Sequence, residues 1–225
     1  MLTKEMKEII SAAKGVGWVL EPEAKRLFSL AGMDVPRSRC ASTGEEAKTL
    51  AQEIGYPVVA KVVSPRVIHK SDVQGVIVGI DTPEDLSAAF GRLSKIEGST
   101  RVLIEETVSG IELIIGAKID FQFGPVVLLG MGGTATEIYH DVSLRMAPLA
   151  DRDMVSMVRC LKAHRLLEGY RGEDPINLKA LKNLLQKFSD LVMDLENEIE
   201  SIDLNPVMCS STRCVVADAR MMLKK

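Results

Sequence analysis

The chain has 225 residues, 46% hydrophobic and 26% charged, with a formal net charge of -3 and 4% aromatic side chains. That length suffices for one sizeable domain or two lobes, and the weakly acidic balance without a basic, aromatic-interleaved stripe excludes a nucleic-acid binder. No segment approaches the ~18 uninterrupted apolar residues of a membrane span, and the charged, periodic N-terminus is unlike a signal peptide, so no membrane partner and a cytoplasmic location are expected.

In chain order, Leu2, Met6, Ile9, Ile10 and Ala13 recur at helical spacing over residues 2–13, and Gly15 and Gly17 close that helix at a joint. EPEAKRLFSLAG reads as a second helix, with Pro22 in its first turn and Gly32 as its C-terminal cap. Thr43 with Glu46 three residues on has the spacing of a capping box and opens a third helix that ends at Gly55. VVAKVV (58–63) and GVIVGI (75–80) are strands, Thr82 and Pro83 open a helix to about Ile96, and RVLIEE, IELIIGAKID and GPVVLLG are strands in quick succession, which favours antiparallel pairing. Helices follow over 151–167 and 177–195, then two short strands around IESIDLN and CVVADAR. The class is α+β, without internal repeat or long linker.

Cys40, Cys160, Cys209 and Cys214 lack the companions that a zinc site needs. They read as reduced thiols, with a Cys209–Cys214 disulfide as the lesser alternative.

The residues that carry chemistry are few. Lys61 stands inside an apolar strand, where an ammonium is costly unless an anion meets it; either it faces nucleotide phosphates or it snorkels from the strand end. His69, flanked by Arg66 and Lys70 in a polar loop, is either a phosphoryl-carrying imidazole or a solvated loop histidine. Asp203 and Asn205, two apart in a strand, project on one face, and Asp218 follows in a second strand. Such oxygens suit Mg²⁺ on nucleotide phosphates, and an Asx turn before Pro206 with an exposed acid is the equal alternative. Glu105, Glu106 and Glu112 are either acceptors for ribose or adenine or exposed strand-end acids. The glycine-rich LLGMGGTATE lacks both the P-loop and the dinucleotide pattern. Arg145 is a candidate phosphate clamp by its guanidinium geometry, or a surface arginine. His140 and His164 are given no role.

The order EPEAKRLFSLAGMDVP, GYPVVAKVVSPRVIHKSDVQGV, VLIEETVSGIELIIGAKIDFQFGPVVLLGMGGTATEIYHDVSLRMAPL, IDLNP and ADAR resembles the β subunit of ADP-forming acetyl-CoA synthetase, an ATP-grasp protein related to succinyl-CoA synthetase β. The resemblance covers nearly the whole chain. It implies an ATP-grasp fold of two lobes with nucleotide bound between them: residues 21–104 as the small lobe, residues 1–20 and 105–225 as the large one. It further implies that Lys61 binds phosphate, Glu105 and Glu112 line the nucleotide cleft, Asn205 and Asp218 hold Mg²⁺ with Asp203 in support, and His69 is the phosphohistidine. ATP and ADP are then the substrates. The CoA-binding and ligase domains sit on a separate α subunit, giving an α2β2 heterotetramer. Two other readings stay open: an ATP-grasp carboxylate–amine or carboxylate–thiol ligase without phosphohistidine, and a non-catalytic nucleotide-binding regulatory subunit. The family often has glycine-glycine after HKSD, where this chain has Gln74 before Gly75.

Overall fold

The computed structural model describes residues 1–133 and 140–224, and the chain divides into two compact units. The first comprises residues 1–19, 23–35 and 109–225, the second 20–22 and 36–108. This partition differs from the expected lobes at residue 20, over 23–35 and over 105–108. Residues 23–35 join the larger unit because α2 (Glu21–Leu30) buries Leu27 and Phe28 in that unit's core, and Glu105 and Glu106 stay with the smaller one because they complete its strand.

The larger unit is built on an antiparallel sheet of seven strands: β1 (Trp18–Val19), β6 (Ile111–Asp120), β7 (Gly124–Met131), β8 (Val142–Met146), β9 (Ile199–Cys209), β10 (Cys214–Val216) and β11 (Arg220–Leu223). The order is β1-β11-β9-β6-β7-β8, with β10 also on β9. The inward residues of β6, β7 and β9, among them Leu113, Ile115, Val127, Leu129, Ile202 and Leu204, are buried with side chains of the helices. Those helices are α1 (Lys4–Ala13), α2, α5 (Asp151–Cys160), α6 (His164–Leu167) and α7 (Leu178–Asp194). The apolar stripe of α7 explains its place: Leu181, Leu184, Leu185, Phe188, Leu191 and Val192 are all buried. The opposite face of β8 stays open, with Val142, Leu144 and Met146 exposed. Gly32, at φ +80°, ends α2 as expected, and Met33 N–H bonds back to Phe28 O in a Schellman closure.

The smaller unit has an antiparallel sheet in the order β2-β5-β3-β4, made of β2 (Ser38–Ala41), β3 (Val58–Val63), β4 (Val76–Ile80) and β5 (Arg101–Glu106). Helices α3 (Gly44–Ile54) and α4 (Pro83–Leu93) bury Ala47, Leu50, Ala51, Leu86, Ala89 and Leu93 against Val58, Ala60, Val62 and Ile104. The Thr43 hydroxyl accepts from Glu46 N–H as the capping spacing requires, while the Glu46 carboxylate reaches Ser42 N–H.

Several sequence expectations change. β5 does not pair with β6; it turns into the small sheet, and only β6 and β7 form the expected hairpin. The short strands β1, β2 and β8 have too few residues for a periodic signal. The helix expected over 151–167 breaks at Leu161, whose extended backbone (ψ 132°) interrupts it. CVVADAR is not one strand: Ala217–Ala219 lie between β10 and β11, which places Asp218 at a bend.

The four cysteines are free thiols. Cys209 and Cys214 are buried cross-strand partners, and the hydrogen bond between them, with burial, raises the Cys209 thiol above the usual cysteine range.

Candidate active site

The lysine within β3 is the centre of the smaller unit's site. Strand alternation puts Val58, Ala60 and Val62 on the helix side and Lys61 on the other, where it is 5% exposed. Glu105 is its diagonal neighbour on β5, since Val59 pairs with Glu105 and Lys61 with Leu103. Lys61 Nζ donates to Glu105 Oε1 at 2.6 Å and to Glu21 Oε1 at 3.0 Å. Glu21 opens α2, and its second oxygen, Oε2, lies 2.9 Å from Lys70 Nζ. Two buried carboxylates and two ammoniums thus form one balanced network, which is what allows charges to sit out of water.

Lys61 is therefore neither snorkelling nor waiting bare for an anion. Its partners are built in. Burial alone is not the mark of such a site, because Lys25 is as deeply buried in the larger unit.

His69 is exposed in the loop that joins β3 to β4. Val67, two residues before it, is buried in the small core, and Lys70, directly after it, is tied to Glu21. A short 3-10 turn (Ser71–Val73) and Gln74, in left-handed conformation at φ 51°, bring the chain back to Gly75, whose N–H bonds to Lys70 O. Gln74 thus takes the backbone geometry that glycine adopts most easily. Arg66 pairs with Glu97 at 2.8 Å and Arg37 with Glu106 at 2.8 Å, so those two charges are spent within the unit.

In the larger unit, Asn205 lies at a bulge in β9 and Asp218 beside it. Leu113 pairs with Val207 and Ile115 with Leu204, so Asn205 and Pro206 together oppose Ile114: a bulge that turns Asn205 outward, where it is exposed. The N–H groups of Ala217 and Asp218 both bond to Pro206 O, which fixes Asp218 beside the bulge. Asp203 is different. It pairs across the strands with Arg220, whose Nη2 donates to its Oδ2 at 3.1 Å.

Among the described residues, no three His, Cys, Asp or Glu side chains gather closely enough to hold a metal ion. Mg²⁺ needs no such cluster, because it takes one or two protein oxygens and fills its remaining positions with phosphates and water. Asn205 and Asp218 could offer such oxygens, while Asp203 is engaged by Arg220.

Glu112, near the start of β6, faces a close backbone approach: Gly132 N–H bonds to its carbonyl, and a β-carbon at Gly132 would lie 2.7 Å from its own. Gly133 lies near its carboxylate as well. The glycines of LLGMGG therefore serve this close packing; residues 134–137 of the same segment lie outside the described residues.

Arg145, expected as a candidate phosphate clamp, lies within the larger unit's sheet. It pairs with buried Val127 across β8 and β7, which puts it on the helix side of the sheet, where it donates to Ser156 Oγ at 2.6 Å and approaches Cys160 Sγ. A cavity of about 580 Å³ near Gly110, Tyr170 and Ile176 contains none of the candidate residues. Sequence reading missed Glu21 altogether, because an acid at the first helical position reads as a complement to the helix dipole.

Comparison with known proteins adds independent evidence. The ATP-grasp domain family matches residues 11–223. The chain is 40% identical, over 96% of its length and 97% of the relative's, to acetate–CoA ligase (ADP-forming) I subunit β of Pyrococcus furiosus. It is 42% identical to acetate–CoA ligase (ADP-forming) I of Archaeoglobus fulgidus, spanning 92% of this chain and 31% of that longer one. Among solved structures, it superposes with a TM-score of 0.85, 39% identity and coverage of 97% and 100% on acetyl-coenzyme A synthetase 1 of Ca. Korarchaeum cryptofilum. That structure holds coenzyme A and Mg-AMPPCP, with its phosphohistidine segment pointing towards the nucleotide-binding site.

Proposed function

The chain belongs to the ATP-grasp family, among the β subunits of ADP-forming acetate–CoA ligases, and from that premise we propose how its own residues make it the nucleotide-binding subunit of such an enzyme. His69 carries a phosphoryl group and delivers it to ADP. The observation that carries this reading is the pairing, within one unit, of a buried lysine with built-in counterions and an exposed histidine eight residues later on a loop anchored at both sides.

The steps follow from the groups present. Lys61 binds the nucleotide phosphates, and Glu21 and Glu105 keep its ammonium oriented and charged. Asn205 and Asp218 offer oxygens to Mg²⁺, which when bound neutralises phosphate charge and orients the transferring group. A terminal oxygen of ADP attacks the phosphorus of phosphohistidine; the N–P bond breaks as the P–O bond forms. The other ring nitrogen carries a proton, so the imidazole leaves neutral. Exposure of His69 serves its other duty, collecting the phosphoryl group from a donor that this chain lacks. The naming of the Pyrococcus relative as a subunit β, and the longer Archaeoglobus relative, of which the chain spans under a third, support assigning that donor, together with the CoA-binding and ligase chemistry, to a separate α subunit, which we take to assemble as α2β2.

The test is phosphoryl labelling of this subunit in the presence of its partner, acyl-CoA and phosphate. Acid-labile label should appear on His69, and His69→Ala should lose both label and ATP formation while binding ADP nearly as the parent does. Full acyl-CoA-dependent ATP synthesis by His69→Ala would defeat the reading and return the carboxylate ligase to first place.

A further inference from the structure

Glu21 uses its two carboxylate oxygens for two different segments. Oε1 accepts from Lys61, on rigid strand β3, at 3.0 Å, and Oε2 meets Lys70, in the His69 loop, at 2.9 Å. The carboxylate is 5% exposed and the Lys70 side chain 13%, so the bridge lies largely out of water, where a charge pair is weakly screened. The loop has other holds besides: Arg66 pairs with Glu97 at 2.8 Å, and Arg92 donates to Gln74 O at 3.2 Å. Val67 is sunk in the small core before His69, and Lys70 O accepts from Gly75 N–H at 2.7 Å after it. Only Ile68 and His69 lie between the buried valine and the bridged lysine, and both are exposed.

We propose that Glu21 is a positioning residue: it clasps Lys70 to Lys61 and so holds His69 at a set distance from the phosphate-binding lysine. Release of Lys70 from Glu21 would give the loop a second, open state beside the clasped one. In the clasped state the imidazole stays beside the nucleotide side of its own unit. In the open state the imidazole is held less closely to Lys61, while Val67 and the Arg66–Glu97 pair stay in place. The same carboxylate thereby couples the lysine that meets phosphate to the segment that delivers it. The kinetic consequence rests on the reading of His69 as phosphoryl carrier; the clasp itself does not.

Two measurements on the full chain separate these claims. Amide hydrogen exchange is compared for the parent, Lys70→Gln, Lys70→Arg and Glu21→Gln. Lys70→Gln leaves the buried Lys61–Glu21 and Lys61–Glu105 pairs intact, so it tests the clasp even where Glu21→Gln disturbs folding. Exchange over residues 64–75 should quicken about tenfold in Lys70→Gln and Glu21→Gln, stay near the parent in Lys70→Arg, and remain unchanged in Gly44–Ile54. Parent-like exchange over 64–75 in Lys70→Gln overturns the clasp.

The second measurement is single-turnover transfer from phosphorylated chain to ADP. In Lys70→Gln its rate should fall about tenfold, with the Kd for ADP within about twofold of the parent, because orientation and not binding is lost. An unchanged rate with a loosened loop overturns the positioning role. If His69→Ala stays active while the exchange differences persist, the phosphoryl reading falls and the clasp stands.

Discussion

At the scale of single residues, Lys61 shows how a costly group becomes affordable. Its ammonium is matched by Glu21 and Glu105, and the second oxygen of Glu21 by Lys70. Removing it leaves two buried carboxylates facing one lysine. Lys61→Ala should therefore lose about 3–5 kcal/mol of stability, read by urea unfolding, and lose ADP binding as well. Binding lost with stability unchanged would mean that the carboxylates are solvated and the network is not a structural unit. Asp218 allows a cleaner separation, because it stands at a bend held by its own backbone N–H. Asp218→Asn keeps size and removes charge, so the Mg²⁺ concentration needed for nucleotide binding should rise with the fold intact. Coincident Mg²⁺ titrations of variant and parent would make Asp218 a structural acid.

At the scale of elements, the His69 loop closes on a glycine that leaves little room for a side chain. A β-carbon on Gly75 would come within 2.6 Å of Val62 Cγ1 and 3.0 Å of Lys70 O, so Gly75→Ala should cost about 1–3 kcal/mol and loosen the turn. Its neighbour behaves differently. Gln74 already sits at φ 51°, and Gln74→Gly should change stability by less than about 1 kcal/mol, since relief of left-handed strain opposes the added freedom of the unfolded chain. Thermal melts of both variants check the contrast. The bulge at Asn205–Pro206 does comparable work in β9: without the extra residue, the side chains beyond it would exchange faces.

At the scale of the whole molecule, the chain supplies groups for a nucleotide but none of the described residues forms a CoA-binding Rossmann site. By the proposed function, it acts in a permanent complex. Alone it should bind Mg·ADP without acyl-CoA-dependent activity, and addition of the α subunit should restore turnover. Size-exclusion chromatography with light scattering on coexpressed chains should find a stable hetero-oligomer, with an interface of about 2,000 Å² or more. An independently active monomer of 24.6 kDa would overturn this.

Sequence alone determined the class, the long helices, the strands around Lys61 and the residues worth following. Those signals are local: periodicity, capping spacing and turn residues act within a few positions. The ATP-grasp resemblance lay in separated motifs that were likewise readable in one dimension. Only the tertiary structure decided what the motifs touch. Lys61 and Glu105 became neighbours because β5 leaves its apparent partner β6 for the small sheet, a choice made by core packing across 44 residues. Arg145 moved to the helix side because a one-residue alternation in β8, too short for its own signal, sets which way it points. Glu21 entered the site because its two oxygens meet lysines 40 and 49 positions away, and no spacing rule links charges so far apart in a chain until folding brings them within reach.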